Sequence, residues 1–406
     1  MSNKQKLGNF IKLQGGYAFK SSDFSEQGVP IVRISNIRNN KLYFSDAVFY
    51  NNQINNNLSD YLIEEDDVLI AMSGATTGKV GIASKDNLPA IVNQRVGRFV
   101  IQDKEKLSQK FLRYLVQSSD FINQVNIHAI GGAQPNISVT QIESISLYIP
   151  QLIKEQQKIA EILSSVDAAI DKTEQVIAKT EEVKKGLMQQ LLTKGIGHKE
   201  FKQTEIGEIP IEWEISLLGD VVERIVGGGT PSRDIEDYYE GDIPWFTVKD
   251  MIGIYLSQSQ EYITEDAIQN SATNLIEENN VIVATRIGLG KAFINQCDIT
   301  INQDLKALFP KKEIISTDYL LLSILGQAEK IIGMGSGTTV KGIRLEQLKK
   351  LNILLPPLKE QQRIISIFNQ IEQKLGNENN QYNLLVNLKH GLMQQLLTGQ
   401  VRVKVD

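Results

Sequence analysis

An eight-residue string occurs twice in this chain, and a second pair of matching strings precedes the two copies at a fixed distance. Gly-Leu-Met-Gln-Gln-Leu-Leu-Thr fills Gly186–Thr193 and again Gly391–Thr398. The near-matches Lys154–Ile159 and Lys359–Ile364 precede these copies by equal intervals. The chain therefore contains two related segments of equal length, half a chain apart. A chain that repeats itself once suits a target with two-fold character, and double-stranded DNA is the commonest such target.

The repeated strings lie in two segments that have the periodicity of long amphipathic helices. Each segment begins just after proline, at Pro150 and at Pro356, which is a frequent helix start. Apolar residues then alternate at spacings of three and four, the pattern of a coiled-coil seam. We predict helices over residues 151–195 and 357–399, each about 60 Å long. The predicted seam residues are Ile159, Ile162, Val166, Ala169, Thr173, Val176, Thr180, Val183 and Leu187 in the first helix, and Ile364, Ile367, Ile371, Leu385, Leu388 and Leu392 in the second.

Neither apolar stripe forms a stable helix alone in water, so the two helices are expected to pair. A flanking line in the first helix (Leu163, Ile170 and Ile177) widens its apolar face toward a globular neighbour. Polar residues beside Gly376 interrupt the second seam, which predicts a bend or a hydrated patch there. An antiparallel pair would place one globular domain at each end, related by a pseudo-two-fold axis.

Two regions of mixed character, residues 1–150 and 196–356, alternate with the helices, and a short tail covers 400–406. Both mixed regions carry the same marks in the same order, such as a buried-strand pattern ending in alanine, a Gly-Lys pair and an Asn-Gln pair. We predict an α+β protein in which two duplicated mixed α/β domains are separated by two long helices forming an antiparallel intramolecular coiled coil. The predicted strands are Val29–Ile34, Val68–Met72, Ile91–Val100, Ile243–Val248, Val281–Thr285 and Leu305–Phe309.

The composition excludes several classes of protein. No apolar run is long enough to cross a bilayer, and the polar start Met1–Gln5 is not that of a signal peptide. The single cysteine, Cys297, excludes an internal disulfide framework and fits a reducing cytoplasm. Three widely spaced histidines beside one cysteine disfavour a zinc site. The net charge of −5 disfavours DNA binding by the chain alone, because phosphate neutralisation needs a basic face or a basic partner.

Two glycine-rich segments are similar to nucleotide-binding loops only in part. Gly74–Val80 has one residue fewer between its glycines than a P-loop, and Val80 replaces the Ser or Thr that would reach magnesium. Gly227–Pro231 lacks the strand–loop–helix unit of a dinucleotide site. We interpret both segments as turns, the first of which presents Lys79. The sequence shows no cluster of acidic residues typical of a nuclease, no Ser-His-Asp triad and no Cys-His pair that could be singled out. We therefore predict no catalytic site.

The doubled strings closely resemble those of the DNA-specificity subunits of type I restriction-modification systems. The resemblance spans essentially the whole chain, and its most specific part is the repeated helix signature. Phe201–Trp213 is similar to the start of a target-recognition domain, and so are Gly229–Pro231 and Ile243–Trp245. The first mixed domain departs from this pattern, because it lacks the Ile-Pro-x-x-Trp start and has Gly15–Phe19 in place of Gly-Thr-Pro.

The resemblance implies that each mixed domain is a target-recognition domain for one half of a bipartite, asymmetric site in double-stranded DNA. It implies that the helix pair sets the spacer between the half-sites and docks two DNA-adenine methyltransferase subunits. Those partners would use S-adenosylmethionine, and motor/endonuclease subunits would use ATP and magnesium. The chain itself would then be a cytoplasmic, non-catalytic specificity subunit with no cofactor or metal of its own. Positive charge on the partners would account for its acidic balance.

Base recognition needs Arg or Lys for guanine and Asn or Gln for adenine, on loops that reach the major groove. Each residue of these types is equally compatible with an ordinary solvated loop. Asn93-Gln94 and Asn302-Gln303 also fit a role in the fold, since domains that read different sequences need different reading residues. The candidate DNA-binding residues are Arg33, Asn36, Arg38, Lys79, Gln94, Arg95, Gln134 and Asn136 in the first mixed domain, and Lys249, Arg286, Lys291, Gln303 and Lys341 in the second.

Two other functions stay open on the residues alone. One is a coiled-coil scaffold with two peptide-binding domains, and the other is a stand-alone nuclease with a dispersed site. DNA retention that requires a methyltransferase partner would separate the first from DNA recognition, and metal-dependent cleavage by the purified chain would favour the second. Trp213 and Trp245 are predicted to be core residues rather than stacking platforms.

Overall fold

The computed structural model describes residues 4–51, 56–129, 135–337 and 341–405. The chain divides into two compact units, Met1–Gln175 with Asn379–Asp406, and Val176–Glu378. Each unit combines one mixed domain with the start of one long helix and the end of the other. No helix among the described residues has the length and apolarity needed to cross a membrane.

Among the described residues, the mixed domain of the first unit has two β-sheets of three or more strands, one separate two-stranded pair and four α-helices. The helices of the mixed domain are Asn56–Ser59, Gln109–Leu115, Ser119–Ala129 and Val139–Ser144. The strands of the larger sheet are, in order across it, Ile11–Gly15, Val96–Ile101, Val68–Ala71, Val80–Ile82, Asn40–Leu42 and Ile37–Arg38. The smaller sheet has the order Val48–Tyr50, Val29–Val32 and Ile91–Val92, and Lys4–Lys6 pairs separately with Ser146–Tyr148.

The second unit repeats this plan with small additions. Its mixed-domain helices are Leu218–Val221, Glu265–Gln269, Thr317–Leu325, Ala328–Met334 and Leu345–Lys349. The larger sheet has the order Val222–Gly227, Leu305–Pro310, Val281–Ala284, Ala292–Asn295 and Tyr255–Leu256. The smaller sheet has the order Glu261–Ile263, Ile243–Phe246, Ile299–Ile301 and Leu275–Ile276, while Glu214–Leu217 pairs with Asn352–Leu355 and Phe201–Thr204 pairs with Gly207–Pro210.

Strand directions match between the two units as well as strand order. In both smaller sheets the strand that contains a proline, Pro30 or Pro244, pairs in parallel with a later strand, with Ile31 opposite Ile91 and Trp245 opposite Thr300. In both larger sheets neighbouring strands are antiparallel, except for one short parallel pair near the edge. The predicted duplication of one mixed domain is therefore confirmed.

The predicted strand Ile91–Val100 was wrong, because the chain changes sheet within it. Ile91–Val92 belongs to the smaller sheet and Val96–Ile101 to the larger one. The three polar residues between them form the turn, in which the Val96 N–H donates to the Asn93 carbonyl at 2.9 Å. Periodicity did not reveal this turn, since apolar residues continue on both sides of it.

A central strand in each larger sheet is apolar at every position because both of its faces are covered. All four residues of Val68–Ala71 are buried, and the same holds for Val281–Ala284. Val281 and Val283 pack into a core with the domain helices, whereas Ile282 and Ala284 pack into the core between the two sheets. Continuous rather than alternating hydrophobicity is the expected signature of such a strand.

The two long helices span Ile153–Lys194 and Leu358–Leu396 and run antiparallel in each unit. In the first unit Asp167 forms an ion pair with Lys389 at 2.6 Å, close to the end of the second helix. In the second unit Lys184 pairs with Glu372, near the start of that helix. Within the first unit Asp167 pairs with Lys389 and Glu174 with Tyr382, and within the second Thr180 contacts Glu378 and Lys184 contacts Glu372. In each unit the residue numbers of one helix rise as those of its partner fall, so the predicted antiparallel pairing is confirmed.

The predicted seam was correct along one line and wrong along the other. Thr173 and Thr180 are buried in the contact, and so is Leu163 from the line assigned to the flank. Val176 and Val183 are 37% and 59% exposed and lie at the edge. Spacings of three and four fit either of two adjacent pairs of lines on a helix, and contact with the mixed domain selects between them.

The middle of the second helix is polar, as predicted, but the helix is unbroken. The α-helix continues without interruption through Gly376. Glu378 accepts a hydrogen bond from the Thr180 hydroxyl at 3.4 Å and lies 3.8 Å from Lys374. These contacts engage one carboxylate oxygen of Glu378 within the polar stretch, for which the sequence pattern predicted a bend or a hydrated patch.

A buried glutamine joins the start of each long helix to its own mixed domain. Gln156 and Gln361 are both fully buried. The Gln156 side chain accepts from the Ser108 N–H at 2.9 Å and donates to the Lys106 and Pro150 carbonyls at 2.9 and 2.8 Å. Gln361 makes the same three contacts with the backbone of Ser316, Ile314 and Pro356 at 3.0, 2.9 and 3.0 Å. The repeated Lys-Glu-Gln-Gln string is thus explained by an identical joint.

The glutamate before each buried glutamine receives the segment that follows the other helix. Arg402 donates two hydrogen bonds, of 2.7 and 2.6 Å, to Glu155, which is 1% exposed in its side chain. Glu360 accepts from Trp213 Nε1 at 2.9 Å and lies 2.8 Å from His198 Nε2. Each helix start is therefore tied to the chain that leaves the neighbouring helix end.

Candidate nucleic-acid interface

The predicted Gly-Lys turns lie at the same end of the larger sheet in both domains. Lys79 follows the turn after Val68–Ala71, and its carbonyl accepts the Ala71 N–H at 2.9 Å. Lys291 occupies the same place, with its carbonyl 3.1 Å from the Ala284 N–H. Both lysines are exposed. Two glycines with positive φ shape each turn, a conformation that glycine adopts without strain: Gly74 and Gly78 in the first domain, and Gly288 and Gly290 in the second.

Three segments converge at this sheet end in the first domain. The Met72 N–H donates to the Arg95 carbonyl, and the Ile137 N–H donates to the Met72 carbonyl, both at 2.9 Å. Residues predicted from separate parts of the sequence are therefore brought together. The exposed side chains gathered here are Lys79, Gln94, Arg95 and Asn136.

The second domain builds the same convergence from the same backbone contacts. The Thr285 N–H donates to the Asp304 carbonyl, and the Ile343 N–H donates to the Thr285 carbonyl, both at 2.8 Å. Gly342 forms a bridge with Arg286, which places Lys341 next to it. The exposed side chains gathered here are Arg286, Lys291, Gln303 and Lys341.

A short 3-10 turn follows the proline-bearing strand in each domain, at Ile34–Asn36 and Val248–Asp250. The last side chain of each turn accepts the backbone N–H three residues earlier, at 2.8 Å for Asn36 and 2.7 Å for Asp250. Asn36 is fully buried and its amide donates to the Tyr43 carbonyl at 3.0 Å. The choice of Asn36 as a DNA-reading residue is therefore corrected, because its amide is used by the fold.

The neighbouring arginines of the first domain are held by one aspartate. Arg38 pairs with the Asp46 carboxylate at 2.7 Å, and Arg33 donates to the Asp46 carbonyl at 2.9 Å. Half of the Arg38 side chain is still exposed. In the second domain Lys249 is exposed in the equivalent turn. These basic groups therefore border the sheet end in both domains.

Positions that make matching backbone contacts in the two domains are equivalent. Some of these positions have the same residue in both domains, and others have different residues. Asn302 accepts the Asp304 N–H at 3.1 Å and donates to its carboxylate at 3.2 Å, so this shared asparagine shapes the turn. The shared pairs are Lys79 and Lys291, Asn93 and Asn302, and Gln94 and Gln303. The different pairs are Ser73 and Arg286, Arg95 and Asp304, and Asn136 and Gly342.

Sequence reasoning missed a rigid arginine that follows the Gly-Thr-Pro segment. The Arg233 guanidinium lies 4.1 Å from the Tyr239 ring centre and 5.2 Å from that of Trp245. It also donates to both carboxylate oxygens of Glu261, at 2.6 and 2.8 Å, and this lowers the pKa of Glu261. Half of the Arg233 side chain remains exposed. Its partners are distant in the sequence, so no local pattern marked it.

Gln134 lies outside the described residues. Trp213 and Trp245 are buried, which confirms their place in the core. Among the described residues, no three His, Cys, Asp or Glu side chains are placed to hold a metal ion.

Comparisons with known proteins give one family. The family model described as the type I restriction modification DNA specificity domain matches residues 2–182 and 210–387. The MjaVIII specificity subunit of a type I restriction enzyme from Methanocaldococcus jannaschii is 24% identical over an alignment of 428 positions, which covers 98% of this chain and 92% of that protein. The EcoR124I/EcoR124II specificity subunit from Escherichia coli is 32% identical over 179 residues, 42% of each chain.

Solved structures share the fold over nearly the whole length. A chain from a study of complex assembly and conformational transition in a type I R-M system superposes with a TM-score of 0.61 at 18% identity, covering 98% of both chains. The S subunit of a type I restriction-modification system from M. genitalium gives a TM-score of 0.57 at 14% identity, with 98% of this chain and 96% of that chain covered. Because the family model matches two segments that together make up most of the chain, the chain belongs to the type I restriction modification DNA specificity domain family.

Proposed function

We propose that this chain is the DNA-recognition subunit of a type I restriction-modification complex and that each mixed domain reads one half of a bipartite site. One observation carries the proposal. The two domains present different polar side chains on the same backbone frame, at the same end of the same sheet. A frame that is constant while its side chains differ suits two readers of different sequences, since bases are distinguished by donor and acceptor groups.

The shared and the different residues suit different contacts with DNA. Lys79 and Lys291 are exposed at equivalent positions and suit the phosphates, which are the same in every sequence. Residues that differ between the domains suit base edges. The base-reading candidates are Arg95 and Asn136 in the first domain and Arg286 and Lys341 in the second, while Arg33, Arg38, Gln94, Gln134, Lys249 and Gln303 remain candidates for either contact.

Partner subunits complete the proposal. The net charge of −5 supports a complex in which two DNA-adenine methyltransferase subunits supply many of the phosphate contacts. In this proposal the helix pair sets the spacer and docks those subunits, which use S-adenosylmethionine. Motor and endonuclease subunits use ATP and magnesium. The chain itself carries out no chemistry and works in the cytoplasm.

Exchanging residues 1–150 for those of a related chain with another specificity is expected to change one half-site and leave the other unchanged. The exchanged domain should still join the first long helix, because Gln156 binds only backbone groups there. The measurement is a map of methylated adenines in cells that express the hybrid with its partner subunits.

The reciprocal exchange of residues 196–356 serves as the matched control and is expected to change only the other half-site. A hybrid in which both halves change together, or in which neither does, would contradict independent reading. Methylation without any bipartite motif would contradict the proposed function itself.

A further inference from the structure

Lys306 is a lysine of the second domain that the candidate residues above do not include. It is the second residue of the strand Leu305–Pro310 and pairs with Gly227 on the neighbouring strand. Its ammonium lies against that glycine, since a Cβ at position 227 would be 2.7 Å from Lys306 Nζ. The ammonium therefore lies beside the last residue of the strand Val222–Gly227.

The Lys306 ammonium is partly buried and has no hydrogen-bond or ion-pair partner among the described residues. The nearby carboxylate of Asp304 is already engaged by Arg286 at 3.5 Å and by Asn302 at 3.2 Å. Burial lowers the pKa of Lys306, and the charge of Asp304 opposes this shift. Withdrawing a cation from water without a partner costs free energy, which an incoming acceptor would recover.

The first domain offers a direct comparison at the equivalent position. Gly97 pairs with Gly15 there, just as Lys306 pairs with Gly227. A Cβ added to Gly97 would lie 3.0 Å from the side chains of Leu13 and Met72, so these two side chains lie close to the position that the lysine occupies in the second domain. The strand pairing is the same at this point, but only the second domain carries a side chain there.

This difference separates Lys306 from the exposed lysines of the glycine turns. Lys79 and Lys291 are the same in both domains and suit the uniform DNA backbone. A lysine that one domain has and the other lacks suits a contact that differs between half-sites. Lysine in the major groove donates to the O6 and N7 acceptors of guanine.

We propose that Lys306 is a specificity-determining residue of the second domain, which donates to a guanine edge in the half-site that this domain reads. The inference rests on the proposed function and adds to it the base contacted and the group that contacts it.

The test uses the full chain in complex with its partner methyltransferase subunits and a library of DNA duplexes with randomised positions. Lys306→Met keeps the aliphatic stem and removes the charge. It is expected to reduce the preference for guanine at one position of one half-site by about tenfold or more, within the range of a single base contact. The other half-site and the salt dependence of binding should be unchanged.

Two further variants keep the outcome interpretable. Gly227→Ala leaves the lysine in place but displaces its ammonium, and it should weaken the preference at the same base pair. Lys312→Met removes an exposed lysine just beyond the other end of the strand and should leave the motif unchanged.

Three results would overturn the inference. The first is a motif identical to that of the native complex in both Lys306→Met and Gly227→Ala. The second is an unchanged motif with a log–log salt slope smaller by about 0.9, which would mark a phosphate contact instead. The third is the absence of a bipartite motif with the native complex, which would reject the proposed function as well and is thereby distinguished from the first two.

Discussion

Replacing Gln361 by alanine is expected to lower the free energy of unfolding of the second unit by about 3 kcal/mol, because each of three buried hydrogen bonds contributes about 1 kcal/mol. The side chain is fully buried and its partners are the backbone groups of Ser316, Ile314 and Pro356. Urea-induced unfolding, followed by a probe in the second unit such as the fluorescence of Trp213, measures the effect.

The next residue of the same string provides the matched control. Gln362 is exposed, so Gln362→Ala should change stability by less than about 0.5 kcal/mol. Gln361→Met keeps the volume and loses the hydrogen bonds, and it should be destabilised nearly as much as Gln361→Ala. Equal stability of Gln361→Ala and Gln362→Ala would mean that the joint contributes nothing. The same contrast is expected in the first unit, where Gln156→Ala should be destabilised and Gln157→Ala should not.

Inserting seven residues after Gln175 in the first long helix alone is expected to abolish sequence-specific methylation. The pairs Asp167–Lys389 and Lys184–Glu372 are separated by the same number of residues in both helices. A one-sided insertion lengthens one helix by about 10 Å, so both pairs can no longer form together. Loss of methylation in cells that contain the partner subunits is the measurement.

A matching insertion after Glu378 in the second helix should restore methylation with a longer spacer. Seven residues make close to two turns, so the apolar face keeps its direction. At about 3.4 Å per base pair, the half-sites should move apart by about three base pairs. Restored methylation at the original spacing would contradict the idea that the helices set the distance.

Much of the fold could be predicted from the sequence because its signals are local or repeated. The paired strings predicted the duplication and the two long helices. The strand Val68–Ala71 was predicted from a short apolar run. The side of the helix that forms the seam was not predictable, since Val176 and Thr173 fit the same spacing. Only contact with the neighbouring helix and domain decides which of them is buried.

The candidate site could be predicted in position but not in detail. Lys79 and Lys291 were identified because a Gly-Lys pair after a strand is visible in the sequence. Asn36 was chosen by residue type, although its amide is used within the turn. The equivalence of Gly97 and Lys306 depends on strand pairing between distant segments, which neither periodicity nor composition contains.

The joint between each long helix and its domain has an evolutionary consequence. Gln156 and Gln361 bind backbone N–H and carbonyl groups and no side chains. Mutations that change the side chains of those loops leave these hydrogen bonds available. Each recognition domain can therefore change in sequence, or be replaced through recombination, while the same glutamine still forms its hydrogen bonds with the backbone of the new domain.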